Sequence, residues 1–122
     1  MAYSGQSDMW WGFVSALSAA DADNGDYYVL KLALSVGTYE WTMNYGSGAD
    51  RAKVELWVND TKVSGATPFD MWQSTATSNN KWTVQNIEIP KFGVHDFRVI
   101  VNGKTGGDYR VGASFVTVRR TG

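Results

Sequence analysis

Thr38-Tyr39-Glu40-Trp41-Thr42-Met43-Asn44-Tyr45 alternates large apolar and polar residues without a break. Successive side chains of a strand face opposite ways, so Tyr39, Trp41, Met43 and Tyr45 share one face and Thr38, Glu40, Thr42 and Asn44 the other. Strict period two over such a stretch predicts a strand with one face in a core. Upstream, Tyr28, Leu30, Leu32 and Leu34 alternate with Val29, Lys31, Ala33 and Ser35, and Val36-Gly37 separates the two runs. Downstream, Gly46 to Asp50 is a loop, and Ala52 to Asn59 puts Val54, Leu56 and Val58 inward against Lys53, Glu55 and Trp57 outward.

The same period continues along the chain. Asn59-Asp60 is a turn, Thr61 to Ser64 pairs back, Pro68 marks an edge or a strand start, and Phe69 to Gln73 is a brief strand. Ser74 to Lys81 is expected as a polar loop. In Trp82 to Ile89, Trp82 and Val84 fall on the opposite parity from Ile87 and Ile89, which predicts a bulge near Gln85-Asn86. Phe97, Val99 and Val101 form the next inward row, with Arg98 and Ile100 opposite. Asn102-Gly103 is expected as a hairpin turn. Tyr109, Val111, Ala113 and Phe115, then Val116 and Val118, complete the core. Roughly seven to nine short strands at this spacing predict an all-β, antiparallel, jelly-roll-like sandwich over 27–122. Residues 1–26 read as an N-terminal arm. There Trp10, Phe13, Val14 and Leu17 have helical spacing, and a strand joining the sheet edge is the other reading.

Composition removes several classes of function. The chain has 122 residues, no cysteine and a formal charge of −1, so thiol and disulfide chemistry are excluded. Arg119-Arg120 with Arg110 is too small a basic cluster for a nucleic-acid footprint. No apolar run is long enough for a membrane-spanning helix. Met1 to Gly5 lacks the basic-then-apolar pattern of a signal peptide. The chain reads either as a whole product or as a module of a larger secreted protein. Six Trp and six Tyr are many for one small domain; such rings serve cores and contact surfaces.

From Gly37 to Arg119 the sequence resembles carbohydrate-binding modules of the family six and family thirty-five type. Gly37-Thr38-Tyr39-Glu40-Trp41 is similar to their Gly-x-Tyr strand opening, and Val54 to Asp60 resembles their apolar strand ending in an Asn-Gly turn. Trp72 and Trp82 stand where the family often has Trp in its central loop region. Ile89 to Val99 resembles the family's strand, Gly turn and strand, and Ser114 to Val118 loosely resembles its last strand. The resemblance implies a β-sandwich that binds sugar. The family's acidic start is absent, and Ser114 stands where Asp often occurs. Those positions help hold a structural calcium in the family, so the resemblance does not carry that ion over, and no cofactor is expected.

The candidate contact residues follow. Trp57, on the outward parity, suits a sugar platform or an interface anchor. Trp72 and Trp82 flank a polar stretch with Gln73, Asn79 and Asn80, a set of rings and amides fit for sugar hydroxyls. Trp10, Trp11 and Phe13 form an apolar payload on the arm. Asp21, Asp23 and Asp26 are weak metal candidates, because Gly25 stands where an EF-hand places a ligand. His95 is the sole histidine, its neighbour Asp96 points to the other face, and Glu40, Glu55 and Glu88 read as outward residues on separate strands. No catalytic constellation follows, and no enzyme is expected.

Two functions fit. The one placed first is a non-enzymatic structural subunit, such as a surface decoration protein of a virus or phage particle. It would bind capsid or tail proteins and form a homo-oligomer such as a trimer. The alternative is an extracellular carbohydrate-binding module that holds a polysaccharide through exposed Trp residues.

Overall fold

The computed structural model describes residues 9–13 and 22–122, with the side chains of 9–13 and of Ser114 outside the description. The described residues form nine strands: β1 Met9–Phe13, β2 Tyr27–Leu34, β3 Gly37–Ser47, β4 Ala52–Val58, β5 Thr61–Lys62, β6 Phe69–Asp70, β7 Thr77–Ile89, β8 Gly93–Lys104 and β9 Ala113–Arg120. They make two antiparallel sheets. One has the order β1-β9-β3-β7; the other runs β2-β8-β4-β5, with β6 also pairing to β4. The fold is the expected all-β sandwich. Of the two readings for the arm, Met9–Phe13 takes the strand form and pairs with β9 from Met9↔Arg119 to Phe13↔Phe115. No helix among the described residues is long and apolar enough to cross a membrane.

The inward rows meet in one core. Tyr39, Trp41, Met43, Val54, Leu56, Val58, Phe97, Val99 and Val101 are all buried, as their parity requires. Trp41 of one sheet stacks on Phe97 of the other, 6.0 Å between centroids and 10° apart in plane, and so ties the layers together. Each such large side chain contributes about 1.5–3 kcal/mol on burial.

Bulges account for most departures from the expected pattern. The one foreseen at Gln85-Asn86 is present: Trp41 pairs with Val84 but Tyr39 with Ile87, and Asn86 takes the left-handed φ of 60°. Asn102-Gly103 is a correction. β8 does not turn there but runs on to Lys104, with Val54 opposite Val101 and Ala52 opposite Lys104. The extra residue is absorbed as a bulge, for which Gly103 supplies φ 99°. The polar stretch is a second correction. Residues 77–81 belong to β7, because its polar side chains lie along an edge strand and leave no apolar period to read. Asn79, at φ 61°, sits in a bulge between the pairs Tyr45↔Asn80 and Ser47↔Thr77. A further shift in β9, Asn44↔Phe115 then Tyr45↔Ala113, leaves Phe115 only half-buried while Val116 and Val118 are fully buried.

Candidate functional site

The sandwich opens along one side, between edge strand β7 and the β5–β6 segment of the facing sheet. The cleft there encloses about 430 Å³. Pro68 starts the short strand β6, which pairs Phe69 with Val54 and Asp70 with Lys53. That pairing lays Phe69 over the core edge. Its ring stacks on Trp82 at 5.3 Å and 15°, and Trp82 in turn meets Trp41 edge-on at 6.4 Å. Phe69 is therefore the half-buried floor, held from below by a Trp that is itself only 5% exposed. Ser64, Thr67, Asp70, Thr83 and Gln85 bring hydroxyl, carboxylate and amide groups to the rim.

Asp70 is fixed at both oxygens: Trp72 N–H donates to Oδ1 at 2.9 Å and the Thr105 hydroxyl to Oδ2 at 2.6 Å. Below it lies Tyr45, edge-on to Phe69 at 5.6 Å. Burial first, and then the Asp70 carboxylate, raise the Tyr45 phenol above the usual tyrosine range, so it remains a neutral group under the cleft.

Beyond Asp70 the cleft borders a polar network. Ser47 Oγ donates to Gln73 Oε1 at 2.9 Å, Thr77 Oγ1 reaches the same oxygen at 3.2 Å, and Asn80 Nδ2 donates to Thr77 Oγ1 at 3.0 Å. Trp72 bridges to Gly48 and lies half-buried beneath the 105–107 segment. A Cβ on Gly106 would stand 2.2 Å from the Ala49 carbonyl and 2.6 Å from Trp72 Nε1, so only glycine permits this closure.

Of the sequence candidates, the structure brings Trp72, Gln73 and Asn80 together. Asn79 stands exposed on the same strand. Trp82 is no open platform: its parity turns it into the core. Trp57 is on the outward face, as expected, half-buried. Glu55 is a correction. It shares that face but is only 6% exposed, because Trp57 Nε1, Asn102 Nδ2 and Lys62 Nζ close over its carboxylate at 3.3, 3.0 and 3.5 Å. The side chains of Trp10, Trp11 and Phe13, and the whole of Asp21, lie outside the described residues. Asp23 and Asp26 share a turn, Asp23 N–H donating to Asp26 Oδ2 at 2.8 Å. No group of three or more His, Asp or Glu suited to a metal occurs among the described residues.

Phe69, Asp70 and Thr67 were missed as site residues. The available signal was Pro68-Phe69-Asp70, an aromatic fixed behind a proline and followed by a carboxylate.

The architecture is a jelly-roll-like β-sandwich with an aromatic-floored cleft at its open edge. Known structures share the fold. A xanthan lyase of Paenibacillus matches with TM-score 0.69 and 22% identity, over 82% of this chain and 10% of the lyase. The CBM36-1 domain of a multidomain xylanase from the hindgut metagenome of Trinervitermes trinervoides matches over 100% of this chain and 92% of its own, with TM-score 0.61 and 16% identity. A family 35 carbohydrate-binding module from an environmental isolate matches over 99% and 77%, with TM-score 0.54 and 22% identity. The chain thus spans a small part of the lyase but nearly the whole of the CBM36-1 domain. No family model and no curated protein matches it.

Proposed function

We propose that this chain is a non-catalytic carbohydrate-binding domain that holds a polysaccharide in the cleft over Phe69. The observation that carries the reading is the cleft itself. A ring stacked on Trp82 faces outward, ringed by the polar side chains of Thr67, Asp70, Thr83 and Gln85. Aromatic rings cover the C–H faces of sugars, and fixed acceptors such as Asp70 take their hydroxyls. The likeness to two carbohydrate-binding modules supports the same choice. The decoration-subunit reading placed first from the sequence therefore gives way to its alternative, and with it an extracellular location replaces the virus particle.

Binding without catalysis is supported by where the glutamates lie. Glu40 receives Gln85 at 3.1 Å and Arg119 at 3.4 Å, Glu88 receives Thr38 at 3.0 Å, and Glu55 is covered. Each is engaged on its own strand, which leaves no free acid–base pair among them. Affinity electrophoresis through gels containing xylan, xanthan or β-glucan tests the proposal. At least one polymer should retard the protein, and Phe69→Ala should restore its mobility while leaving it folded. Unchanged mobility in every polymer would sink the reading.

A further inference from the structure

We propose that β2 is a docking edge for a second copy of this chain. Two β2 strands pair antiparallel about a two-fold axis at Leu30 and join the two five-stranded sheets into one. The proposal is independent of what the cleft holds, because β2 is the edge of its sheet farthest from β5 and the cleft.

Edge strands expose unpaired N–H and C=O groups, and proteins ordinarily blunt them by brevity, bulges, proline or charge. Among the described residues, β5 has two residues and β1 five. β7 is long, but its pairing with β3 breaks at two bulges. β2 has none of these defences. It runs for eight residues without proline, in unbroken register with β8 from Tyr27↔Ile100 to Leu34↔Gly93. Its single charge, Lys31, is bound to Asp96 at 2.9 Å and so turned back onto its own sheet. The large apolar side chains that stand exposed among the described residues are Tyr27, Val29, Val36, Phe92 and Val94. All lie on β2, at the start of β8 that pairs with it, or in the turns at that end. Scattered exposed apolar residues are ordinary, but their gathering along one open edge marks a contact surface.

The backbone decides which atoms are free. Val101 N–H donates to the Asp26 carbonyl at 2.8 Å, so the even-numbered residues of β2 turn their N–H and C=O toward β8. Tyr27, Val29, Lys31 and Ala33 turn theirs outward. An axis at Leu30 sets Tyr27 opposite Ala33 of the second copy and Val29 opposite Lys31 of the second copy, and so pairs all four. Moving the axis toward Tyr27 leaves Ala33 without a strand partner. Moving it to Lys31 sets two lysines opposite each other, which is repulsive. Size agrees with this register. The large Tyr27 meets the small Ala33, beside which Val94 stands exposed on β8, and the Lys31 stem lies along Val29.

Charge selects a second copy as the occupant. The turn before β2 is Asp23-Asn24-Gly25-Asp26, and beside its far end Lys91-Phe92 lead into Gly93, the partner of Leu34. Asp23 and Lys91 are both exposed, and neither forms an ion pair among the described residues. An antiparallel two-fold brings the acidic turn of each copy to the basic turn of the other, so the attraction is made twice. A parallel contact would set like charges together. An eight-residue edge is small beside the about 1,600 Å² of a standard interface, so the dimer should form in the micromolar range. Both clefts stay open at the far edges of the joined sheet, and one polymer can then be held at two points.

Sedimentation equilibrium of the full chain across the micromolar range reads the mass, which should rise from 13.5 kDa to twice that value. Val29→Pro removes an outward N–H that β8 does not use. It should weaken the dimer at least about tenfold, through the loss of two symmetry-related hydrogen bonds, and leave the monomer folded. Should Val29→Pro fail to fold, a charge swap carries the test. Lys91→Glu should weaken association about fivefold, and adding Asp23→Lys to it should restore the dimer. A monomer at every concentration would overturn the inference, and so would a trimer. A dimer indifferent to a folded Val29→Pro, or a swap that fails to rescue, would remove the edge pairing. Sugar enters none of these measurements, so the carbohydrate reading stands or falls separately.

Discussion

The cleft and the outer face each have a tryptophan at their centre, but the two rings do different jobs. Trp82 points inward. It is 5% exposed, and its ring serves as the support on which Phe69 lies. Trp57 points outward from an unbroken run of period two, and its indole N–H and ring hold two charged groups, Glu55 and Arg98, on the surface of a sheet. A tryptophan in such a sandwich is thus not by itself a platform. Which side of the strand it takes decides whether it supplies contact area or holds another group in position.

The sharpest way to break that comparison is to remove each ring. Trp82→Ala opens a cavity under the cleft and should cost about 3–5 kcal/mol of stability. Trp57→Ala leaves no core cavity and should cost about 1 kcal/mol. Urea denaturation measures both. Similar losses would mean that Trp57 belongs to the packing of the sheet, and the contrast between the two rings would fail.

Next in size is the closure over Trp72. Gly106→Ala places a methyl against the Ala49 carbonyl and the Trp72 indole. Overpacking of this kind should destabilise by about 1–3 kcal/mol and move the tryptophan emission, since Trp72 must shift. The outer face should respond less, because Trp57 and Arg98 pair with each other several residues along β4 and β8 from this closure. Unchanged stability and emission in Gly106→Ala would show that the 105–107 segment has room to move aside.

How far these regions could be foreseen differs for a physical reason. The core row from Tyr39 to Met43 and the outward place of Trp57 follow from alternation alone, since each side chain's face is set by its own strand. The cleft floor depends on Phe69 of a two-residue strand meeting Trp82 of the other sheet, and no local period encodes that meeting. The open edge at β2 was hidden for a similar reason. It shows only once the strand order leaves β2 outermost. Asn102-Gly103 carries the same local chemistry in a bulge as in a hairpin. Only the pairing of Lys104 with Ala52 separates the two.

The smallest effect lies beneath the cleft and tests whether Asp70 faces inward as well as toward a ligand. Burial raises the phenols of Tyr28 and Tyr45, and the Asp70 carboxylate adds to the rise at Tyr45. An unfolded tyrosine ionises near pH 10. Below that both states keep the proton, and neither residue makes stability depend on pH. Above it the unfolded chain has released protons that the folded chain still holds, so stability falls as pH rises. Asp70→Asn removes the charge but not the burial. The fall above about pH 10 should become gentler without disappearing, because Tyr28 and the buried part of the Tyr45 shift remain. Urea midpoints measured on both proteins between about pH 8 and about pH 11 give the slopes. An unchanged slope in Asp70→Asn would mean that the carboxylate does not act on Tyr45. Its second role, as a fixed acceptor at the rim of the cleft, would then rest on its bonds to Trp72 and Thr105 alone.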